Sequence, residues 1–414
     1  MRNGFTIMIS AIGDAFKKNM TPTHNAKFGY DMDIRATRQA FGIVPDLVLG
    51  HRLFDGQDFI GEKDFISLEE QLKEIRSSKK KIILNIGDSS TSGWDFNVQV
   101  QNINRVKKGL DIKPAFFKYK TYSDLLRDAI GDAFIVINAG VPAYSSLQGA
   151  KRLKILLKFF KQHQVKICYV TSYFGNNDSS WWISGEDKLW VGKSIPDNYS
   201  LEFIQSKILE KDQIITRVLP NDYRINLMSI LNHCLSAGAI PIFIEPVTPI
   251  YWKPGIYDKN QWVSITPFMS RAIKEHLDES LHLWEVAIKE KKYSKMKELL
   301  LEEAREKDYV MPRIKKSHLK VLREVAAAYK IPYATITLDR SEDDARYFMD
   351  SCHPIGDANE FLADSIKQLV VEFEQGKRKS TTQLPRNPQS IKNSPAIKAS
   401  TIETPMPLAH YPLY

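Results

Sequence analysis

Four short polar stretches, far apart along the chain, carry side chains that could do chemistry together. They are Gly87-Asp88-Ser89-Ser90, Asn138-Ala139-Gly140, Gly175-Asn176-Asn177-Asp178 and Asp350-Ser351-Cys352-His353. Together they supply a hydroxyl nucleophile, an imidazole base, a carboxylate to orient that base, and amide groups that can donate to a developing oxyanion. Hydrolysis of an ester through a covalent acyl intermediate requires those four parts.

The position of each residue suggests its role. Ser89 follows an apolar run, so we expect it at an exposed strand-to-helix turn, near the positive end of the helix. Asp350 precedes His353 by one turn of chain, from where its carboxylate can reach ring Nδ1 and fix the tautomer. The predicted catalytic residues are Ser89, Asp350 and His353. The predicted oxyanion donors are the backbone N–H groups of Ser89 and Gly140 and the side-chain amide of Asn177. Gly140 has no side chain that would block a close approach by substrate.

Each of these residues also has an ordinary structural interpretation. Ser89 could be a helix N-cap, His353 a surface histidine, and Asn177 a cap of a turn. The presence of all four stretches in one chain favours the chemical interpretation. Within the first stretch, we expect Asp88 to brace the turn by hydrogen bonding and Ser90 to cap the helix.

The polar stretches are placed by a regular succession of apolar runs. Five such runs, without alternation, cover residues 82–86, 134–140, 166–175, 240–247 and 331–338. Runs of this kind are typical of strands buried on both faces. Amphipathic segments with helical spacing lie between the later runs, at 144–164, 223–238 and 318–330. Strands and helices in alternation predict a parallel sheet with right-handed crossovers, whose ligands bind outside the carboxyl ends of the strands.

Residues 270–312 are too long for one crossover and predict two helices joined near 291–293. Their order of aromatic, alanine and leucine positions faintly resembles one tetratricopeptide-type hairpin. The favoured interpretation is a helical insertion that packs on the sheet edge. The alternative is a hairpin that binds a protein partner.

Five tryptophans follow the third and fourth apolar runs: Trp181, Trp182, Trp190, Trp252 and Trp262. They either pack the insertions onto the sheet or offer aromatic faces to a sugar or an acyl chain. The candidate substrate-lining residues are Trp181, Trp182 and Trp252, with Arg313 as a candidate contact for an anionic substrate.

With its four motifs in this order, the chain resembles the SGNH hydrolases, also called GDSL esterases and lipases, over roughly residues 80–372. That family places serine in Gly-Asp-Ser, glycine after the second strand, asparagine in Gly-x-Asn-Asp, and Asp-x-x-His near the C-terminus. The matching residues here are Ser89, Gly140, Asn177, Asp350 and His353. Within the family, the helical insertion resembles bacterial members. Ser90 departs from the family's leucine, and the interval from Asn177 to His353 is long.

The resemblance implies a three-layer α/β/α sandwich with a mainly parallel five-stranded sheet of flavodoxin-like appearance. It also implies a serine esterase that acts on a carboxylic ester through an acyl-enzyme, without metal or cofactor. The aromatic loops favour O-acetyl groups on carbohydrate, so the expected partner is a small-molecule or carbohydrate ester. One alternative is an O-acyltransferase that uses the same triad. Another is a non-catalytic binding or assembly protein that uses the hairpin.

Composition divides the chain into three parts. Residues 1–78 are expected to form a partly ordered N-terminal extension. Residues 79–375 would form the hydrolase-like domain, with a Trp-rich loop and helix inserted at 179–222 and the hairpin at 250–315. Residues 376–414 are rich in Pro, Ser, Thr and Lys, which predicts a disordered basic tail.

The charge of the chain does not indicate a nucleic-acid ligand. The formal net charge is +9, but the six basic residues and one acid after Gly376 supply about half of it. A nucleic-acid footprint would cluster lysine and arginine on a folded face with aromatics between them. Cys168, Cys234 and Cys352 lack zinc-ligand spacing and any disulfide framework, so we interpret them as ordinary thiols and expect no metal.

The N-terminal residues give a weak signal for export. A short apolar run is interrupted by Asp14, and no Ala-x-Ala-like cleavage site follows. No stretch approaches the roughly 18 uninterrupted apolar residues of a membrane span. We therefore expect a soluble, cytoplasmic protein, with export as the alternative.

Overall fold

A parallel sheet with helices on both faces organises the chain in a computed structural model. The structure describes residues 43–46, 50–53, 72, 75–93, 120–141, 144–179, 216–258, 261–262, 271–290, 294–311, 313–338 and 346–378. Two short antiparallel pairs lie outside the main sheet: β1 (Ile43–Asp46) with β2 (Gly50–Leu53), and β7 (Ile256–Asp258) with β8 (Gln261–Trp262).

The main sheet contains five strands, and every pairing in it is parallel. They are β3 (Lys81–Gly87), β4 (Phe134–Asn138), β5 (Ile167–Tyr173), β6 (Ile240–Ile244) and β9 (Tyr333–Ala334). Their order across the sheet is β4-β3-β5-β6-β9. This is the flavodoxin-like arrangement, in which the strand order reverses between β3 and β5 and leaves a crevice at their carboxyl ends. The predicted five-stranded α/β fold is confirmed.

The described residues contain helices that pack on the two faces of this sheet and other helices that do not. They are α1 (Ser89–Ser92), α2 (Tyr122–Ile130), α3 (Ser146–Gln162), α4 (Asn176–Ser179), α5 (Pro220–Ser236), α6 (Arg271–Lys289), α7 (Lys295–Lys307), α8 (Lys316–Ala328) and α9 (Asp357–Glu374). One face packs on α2 and α9, through a core that includes Ile83, Val136, Tyr169, Leu362 and Ile366. Because strand side chains alternate, Ile82 and Leu84 point to the other face, where α3, α5 and α8 pack together.

Local signals explain where several of these elements begin and end. Helix α3 begins at a capping box formed by Ser145 and Gln148. Helix α5 begins earlier than predicted, at Pro220, because proline suits the first helical position. Gly238 follows α5 with φ of +69°, as expected for a residue that ends a helix. The predicted strand 331–338 is reduced to β9, which pairs with a single neighbour at the sheet edge.

The insertion after β6 contains the predicted pair of helices. Helices α6 and α7 pack against each other, and the residues predicted to join them fall outside the described part. Ala287 and Leu301 of this pair form a small core with Ile250 and Tyr251 from the loop after β6. Trp284 Nε1 donates to the Tyr251 carbonyl at 2.9 Å. The insertion is therefore held on the loop that leaves the carboxyl end of β6.

Other predictions fall largely on residues that the structure does not describe. These include most of the extension 1–78, most of the Trp-rich segment 179–222, and most of the tail 376–414. None of the helices in the described ranges combines the length and hydrophobicity needed to cross a lipid bilayer.

Candidate active site

Ser89, His353 and Asp350 lie in one hydrogen-bonded row. His353 Nε2 is 2.7 Å from Ser89 Oγ, and His353 Nδ1 is 2.6 Å from Asp350 Oδ2. A carboxylate only accepts, so Nδ1 carries the proton toward Asp350 and leaves Nε2 to accept from the serine hydroxyl. All three side chains are buried. The arrangement can pass a proton from Ser89 to His353 while Asp350 holds the ring.

A tight loop presents both Asp350 and His353. An antiparallel bridge between Phe348 and Pro354 closes it, and the Met349 N–H donates to the His353 carbonyl at 3.0 Å. Inside the loop, Asp350 Oδ1 accepts from the backbone N–H of His353 at 2.9 Å. The carboxylate is therefore fixed by the backbone of its own loop before it orients the imidazole.

The strand-to-helix turn after β3 presents Ser89 as the first residue of α1. Asp88 is the N-cap, with φ of −94° and ψ of −151°, and its Oδ1 accepts from the Ser90 N–H at 2.9 Å. The expectation that Ser90 caps this helix is wrong, because Ser90 already lies inside α1 and the preceding carboxylate reaches its N–H. Gly93 ends the helix with φ of +78°, a conformation that favours glycine.

A second bond of Asp88 reaches the turn after β5. Asp88 Oδ2 accepts from Asn177 Nδ2 at 3.3 Å, and the same Nδ2 donates to the Tyr144 carbonyl at 3.2 Å. Burial raises the pKa of Asp88 to about 6, against the opposing effects of the Ser90 N–H and the charge of His353. Asn177 and Ser89 therefore lie beside one buried acidic group.

The three predicted oxyanion donors differ in what they contact. Among the described residues, nothing accepts from the Ser89 N–H. The Gly140 N–H donates to Asn138 Oδ1 at 3.1 Å, while Asn138 Nδ2 donates to the Thr91 carbonyl at 2.7 Å. The structure thus brings Ser89, Gly140 and Asn177 to the same end of the sheet. In the structure, Gly140 and Asn177 also each donate to an acceptor within the protein.

Gly140 is required by packing. A Cβ at this position would lie 2.5 Å from Ser92 N and 2.7 Å from Thr91 Cβ, closer than real contacts allow. The sequence predicts that the missing side chain leaves room for substrate. In the structure, helix α1 fills that space, so Gly140 lets α1 pack on the end of β4.

The electrostatics of His353 are set by two opposing effects. Burial disfavours the imidazolium and lowers its pKa, but the Asp350 carboxylate and, to a smaller extent, Cys352 together offset burial and hold the pKa well above its usual value of 6.5. Cys352 Sγ lies 3.6 Å from His353 Nδ1. Burial raises the pKa of this thiol to about 11, so it is a neutral neighbour of the His353 ring near pH 7.

Asp350, Cys352 and His353 form the group in the described residues whose ligand atoms lie close enough to share a metal ion, within 4.8 Å of one another. Two of these three already bond to each other, and His353 also bonds to Ser89. This arrangement suits proton transfer between Ser89 and His353, because a metal ion would have to replace the bond between Asp350 and His353.

The structure places the substrate-lining candidates differently. Arg313 is buried, with its side chain 1% exposed, and forms an ion pair with Asp308. Its guanidinium therefore neutralises a carboxylate inside the insertion and is not presented to an anionic substrate. Trp252 is also buried, and its carbonyl accepts from Arg313 at 3.4 Å. Trp181 and Trp182 lie outside the described residues.

The residues that support helix α1 are not among those predicted from the sequence. Thr91 Oγ1 hydrogen-bonds to the Tyr122 hydroxyl at 2.9 Å, and Tyr122 stacks on Tyr173 with ring centroids 5.9 Å apart. Asn138 begins the Asn-Ala-Gly stretch, and the sequence prediction gives it no role. A polar side chain at the end of a buried strand could have marked Asn138, whereas no local pattern marks Tyr122.

Comparisons with known proteins find matches among solved structures but none among family models or curated proteins. A carbohydrate acetylesterase from Sinorhizobium meliloti is 13% identical, with 71% of this chain and 100% of that chain covered and a TM-score of 0.37.

Two further structures are similar to the chain at the same level. An acetylxylan esterase from Geobacillus stearothermophilus, crystallised as a catalytic mutant, is 15% identical, with 70% of this chain and 93% of that chain covered and a TM-score of 0.34. A GDSL-like lipase from Bacteroides thetaiotaomicron is 12% identical, with 74% and 97% covered and a TM-score of 0.33. These values are too low to transfer an activity to this chain.

Proposed function

We propose that the protein is a serine hydrolase of the SGNH type that cleaves a carboxylic ester through an acyl-enzyme. The observation that carries the proposal is the row from Ser89 Oγ through His353 to Asp350, with distances of 2.7 and 2.6 Å. The row lies at the carboxyl ends of parallel strands, where open α/β sheets bind their ligands. A helix cap or a surface histidine would not need a buried partner on each ring nitrogen.

In the proposed reaction, Ser89 Oγ attacks the ester carbonyl carbon and its proton passes to His353 Nε2. Asp350 stabilises the resulting imidazolium. The tetrahedral intermediate collapses, the C–O bond to the alcohol breaks, and His353 returns the proton to the leaving oxygen. Water then attacks the acyl-enzyme with His353 again as base, which releases the acid and restores the Ser89 hydroxyl.

The tetrahedral oxyanion would be stabilised by the N–H groups of Ser89 and Gly140 and by the Asn177 amide. The Gly140 and Asn177 groups donate at 3.1 to 3.3 Å in the resting protein, near the long end of hydrogen-bond distances. An oxyanion is a stronger acceptor than a neutral carbonyl. We therefore assign Gly140 and Asn177 as donors to the oxyanion. The Gly140 N–H would leave the neutral Asn138 amide oxygen and one Asn177 N–H would leave the neutral Tyr144 carbonyl, while Asp88 keeps its bond to Asn177.

We propose carboxylic esters as the substrate class, with O-acetyl groups on carbohydrate as the first members to test. The support for carbohydrate is the tryptophan-rich sequence that follows β5, because aromatic faces stack on sugar rings. The same triad could pass the acyl group to a sugar hydroxyl in place of water. An ester panel with and without a sugar acceptor separates hydrolysis from transfer.

Labelling with a fluorophosphonate tests the proposed nucleophile. The folded protein should take one label, and Ser89→Ala should take none while unfolding at the same temperature. Ser90→Ala is the matched control, because Ser90 is the adjacent buried serine on the same turn and should label like the wild type. A folded wild-type protein that takes no label would end the hydrolase proposal and favour a binding or assembly role.

A further inference from the structure

Helix α4 carries Asn177, and its first and last residues are bonded to the insertion. Asn176 Oδ1 accepts from the backbone N–H of Ile314 at 3.1 Å. Ser179 Oγ accepts from the backbone N–H of Lys315 at 3.1 Å. Both acceptor side chains are buried, so losing either bond would leave a buried N–H without a partner, which is costly.

The third residue of α4 is tied to the body of the protein. Both carboxylate oxygens of Asp178 accept from the Ser146 N–H, at 3.0 and 3.1 Å, at the start of α3. Its carbonyl accepts from the Val218 N–H at 3.1 Å. Three of the four residues of α4 therefore hold the helix in place. The remaining one, Asn177, points its amide at Asp88.

The segment that binds α4 is the connection from α7 to α8, residues 308–311 and 313–315, which we call the strap. The strap is organised around Asp308, whose side chain is fully buried. Its carboxylate accepts from the N–H of Val310 at 3.1 Å and of Gly255 at 3.2 Å, and it pairs with Arg313. Such a carboxylate fixes the path of the strap against the loop after β6.

Lys315 joins the strap to the end of the hairpin. Its buried ammonium donates to the carbonyl of Arg305 at 2.7 Å and to the carbonyl of Asp308, and it lies 4.9 Å from the centre of the Tyr309 ring. Carbonyls at a helix C-terminus carry partial negative charge and favour a cation there. Lys315 therefore satisfies carbonyls at the C-terminal end of α7 and, through its own backbone N–H, holds Ser179.

Side-chain packing adds to these bonds just before α4. Ile314 is fully buried, and a Cβ at Gly175 would lie 2.3 Å from Ile314 Cδ1. Gly175 also has φ of +138°, which favours glycine. The backbone that enters α4 thus packs closely against Ile314 of the strap, so the strap and α4 are in direct contact.

We propose that the strap positions Asn177 for its role at the oxyanion, so that the helical insertion controls turnover without touching substrate. The inference rests on the proposed hydrolase function and assigns Lys315 and Ser179 as positioning residues. Three sets of contacts act on the four-residue helix that carries Asn177. They are the hydrogen bonds at Asn176 and Ser179, the bonds of the Lys315 ammonium to the end of α7, and the contact of Ile314 with Gly175. A misplacement of about 1 Å in such a group can cost about 10²-fold in rate.

The first test compares Lys315→Met with Lys320→Met, an exposed lysine on α8, in hydrolysis of para-nitrophenyl acetate. Lys315→Met should lower kcat about tenfold or more with KM within about twofold, because the donor is misplaced while ground-state binding is kept. Lys320→Met should behave like the wild type. Ser179→Ala should show the same split on a smaller scale, and it carries the test if Lys315→Met fails to fold.

A double-mutant cycle separates positioning from general destabilisation. Lys315→Met and Ser179→Ala are each combined with Asn177→Ala. If the strap acts through Asn177, the second change costs little once Asn177 is gone, because coupled residues are not additive. An equal loss of kcat in both backgrounds would overturn the proposal.

Hydrogen exchange provides a readout that does not need activity. The peptide covering residues 174–179 should take up deuterium faster in Lys315→Met and Ser179→Ala than in the wild type or Lys320→Met. If the wild type hydrolyses no ester, the hydrolase function fails while this measurement still tests the strap. Unchanged exchange in both variants would show that the strap does not hold α4.

Discussion

The Asp88 carboxylate accepts a hydrogen bond from the Asn177 side chain at 3.3 Å. This bond joins the turn after β3, which carries the proposed nucleophile, to the turn after β5, which carries a proposed oxyanion donor. The two turns flank the point where the strand order reverses. Asp88 therefore does more than cap α1, because it also sets the direction in which the Asn177 amide points.

The substitution Asp88→Asn should separate the two roles of this side chain. The new side-chain carbonyl can still accept from the Ser90 N–H, since Asn and Asp are equally good N-caps, but the new amide would face the Asn177 amide with a second donor. We expect kcat to fall about tenfold or more, toward the ~10²–10³ loss of a missing oxyanion donor. The melting temperature should change little. Measurement above the Asp88 pKa of about 6 keeps the wild-type carboxylate ionised, and an unchanged kcat would show that the bond to Asn177 has no role.

Asp350→Asn should change the pH dependence of stability in a defined direction. Asp350 raises the folded-state pKa of His353 well above the unfolded value of 6.5. Stability from this pair is fully present below the unfolded pKa and is lost as pH rises through the folded pKa. The difference in melting temperature between wild type and variant should be largest at pH values just below 6.5 and shrink in alkaline buffer. A difference that grows with pH would contradict this assignment.

The same variant should move the pH profile of activity. In the wild type, kcat/KM should rise with pH as His353 loses its proton, with a midpoint above 6.5. The variant removes the larger of the effects that oppose burial and leaves only the smaller effect of Cys352, so the pKa of His353 and the midpoint should fall. The maximal kcat should drop by about 10⁴ because the tautomer is no longer fixed.

The hydrogen bond between the hydroxyls of Tyr122 and Thr91 should make the stability effects of these two residues depend on each other. Tyr122→Phe leaves a buried Thr91 hydroxyl without its partner, which should cost about 1–3 kcal/mol in the free energy of unfolding. Thr91→Val alone should cost a similar amount. The double variant should recover much of the loss, because replacing both partners by apolar groups of similar shape is nearly neutral. Chemical denaturation of the four proteins measures the cycle, and simple addition of the two losses would disprove the coupling.

Gly140→Ala should act through helix α1. The added Cβ would meet Ser92 N at 2.5 Å, so the helix must shift, at a cost of about 1–3 kcal/mol for overpacking. We expect a lower melting temperature and slower fluorophosphonate labelling of Ser89. A variant that keeps its melting temperature and raises only KM would instead support the idea that this glycine makes room for substrate.

The sequence predicted the sheet well because a strand buried on both faces leaves a local signature. All five apolar runs became strands of the main sheet, and the polar residues that follow β3 and β5 lie at the reversal of strand order. The predicted fifth run was longer than β9 because only part of it finds a neighbour at the edge.

The finer features depend on contacts between distant residues, which no local pattern reports. Ser90 and Asp88 are both good capping residues, and only the backbone path shows that Asp88 does the capping. Arg313 could not be recognised as half of a buried ion pair, since Asp308 becomes its partner only when the strap folds. Nor does the sequence show that the Gly140 N–H meets Asn138 Oδ1.

The loop closed by Phe348 and Pro354 has a consequence for the timing of activity during synthesis. The loop holds Asp350 and His353 hydrogen-bonded to each other. Their partner Ser89, however, lies 264 residues before His353 in the chain. A ribosome-bound chain that has exposed the first strands and Ser89 still lacks its base. In the proposed enzyme, the nascent protein stays inert until nearly all of the sheet and its insertion have been made.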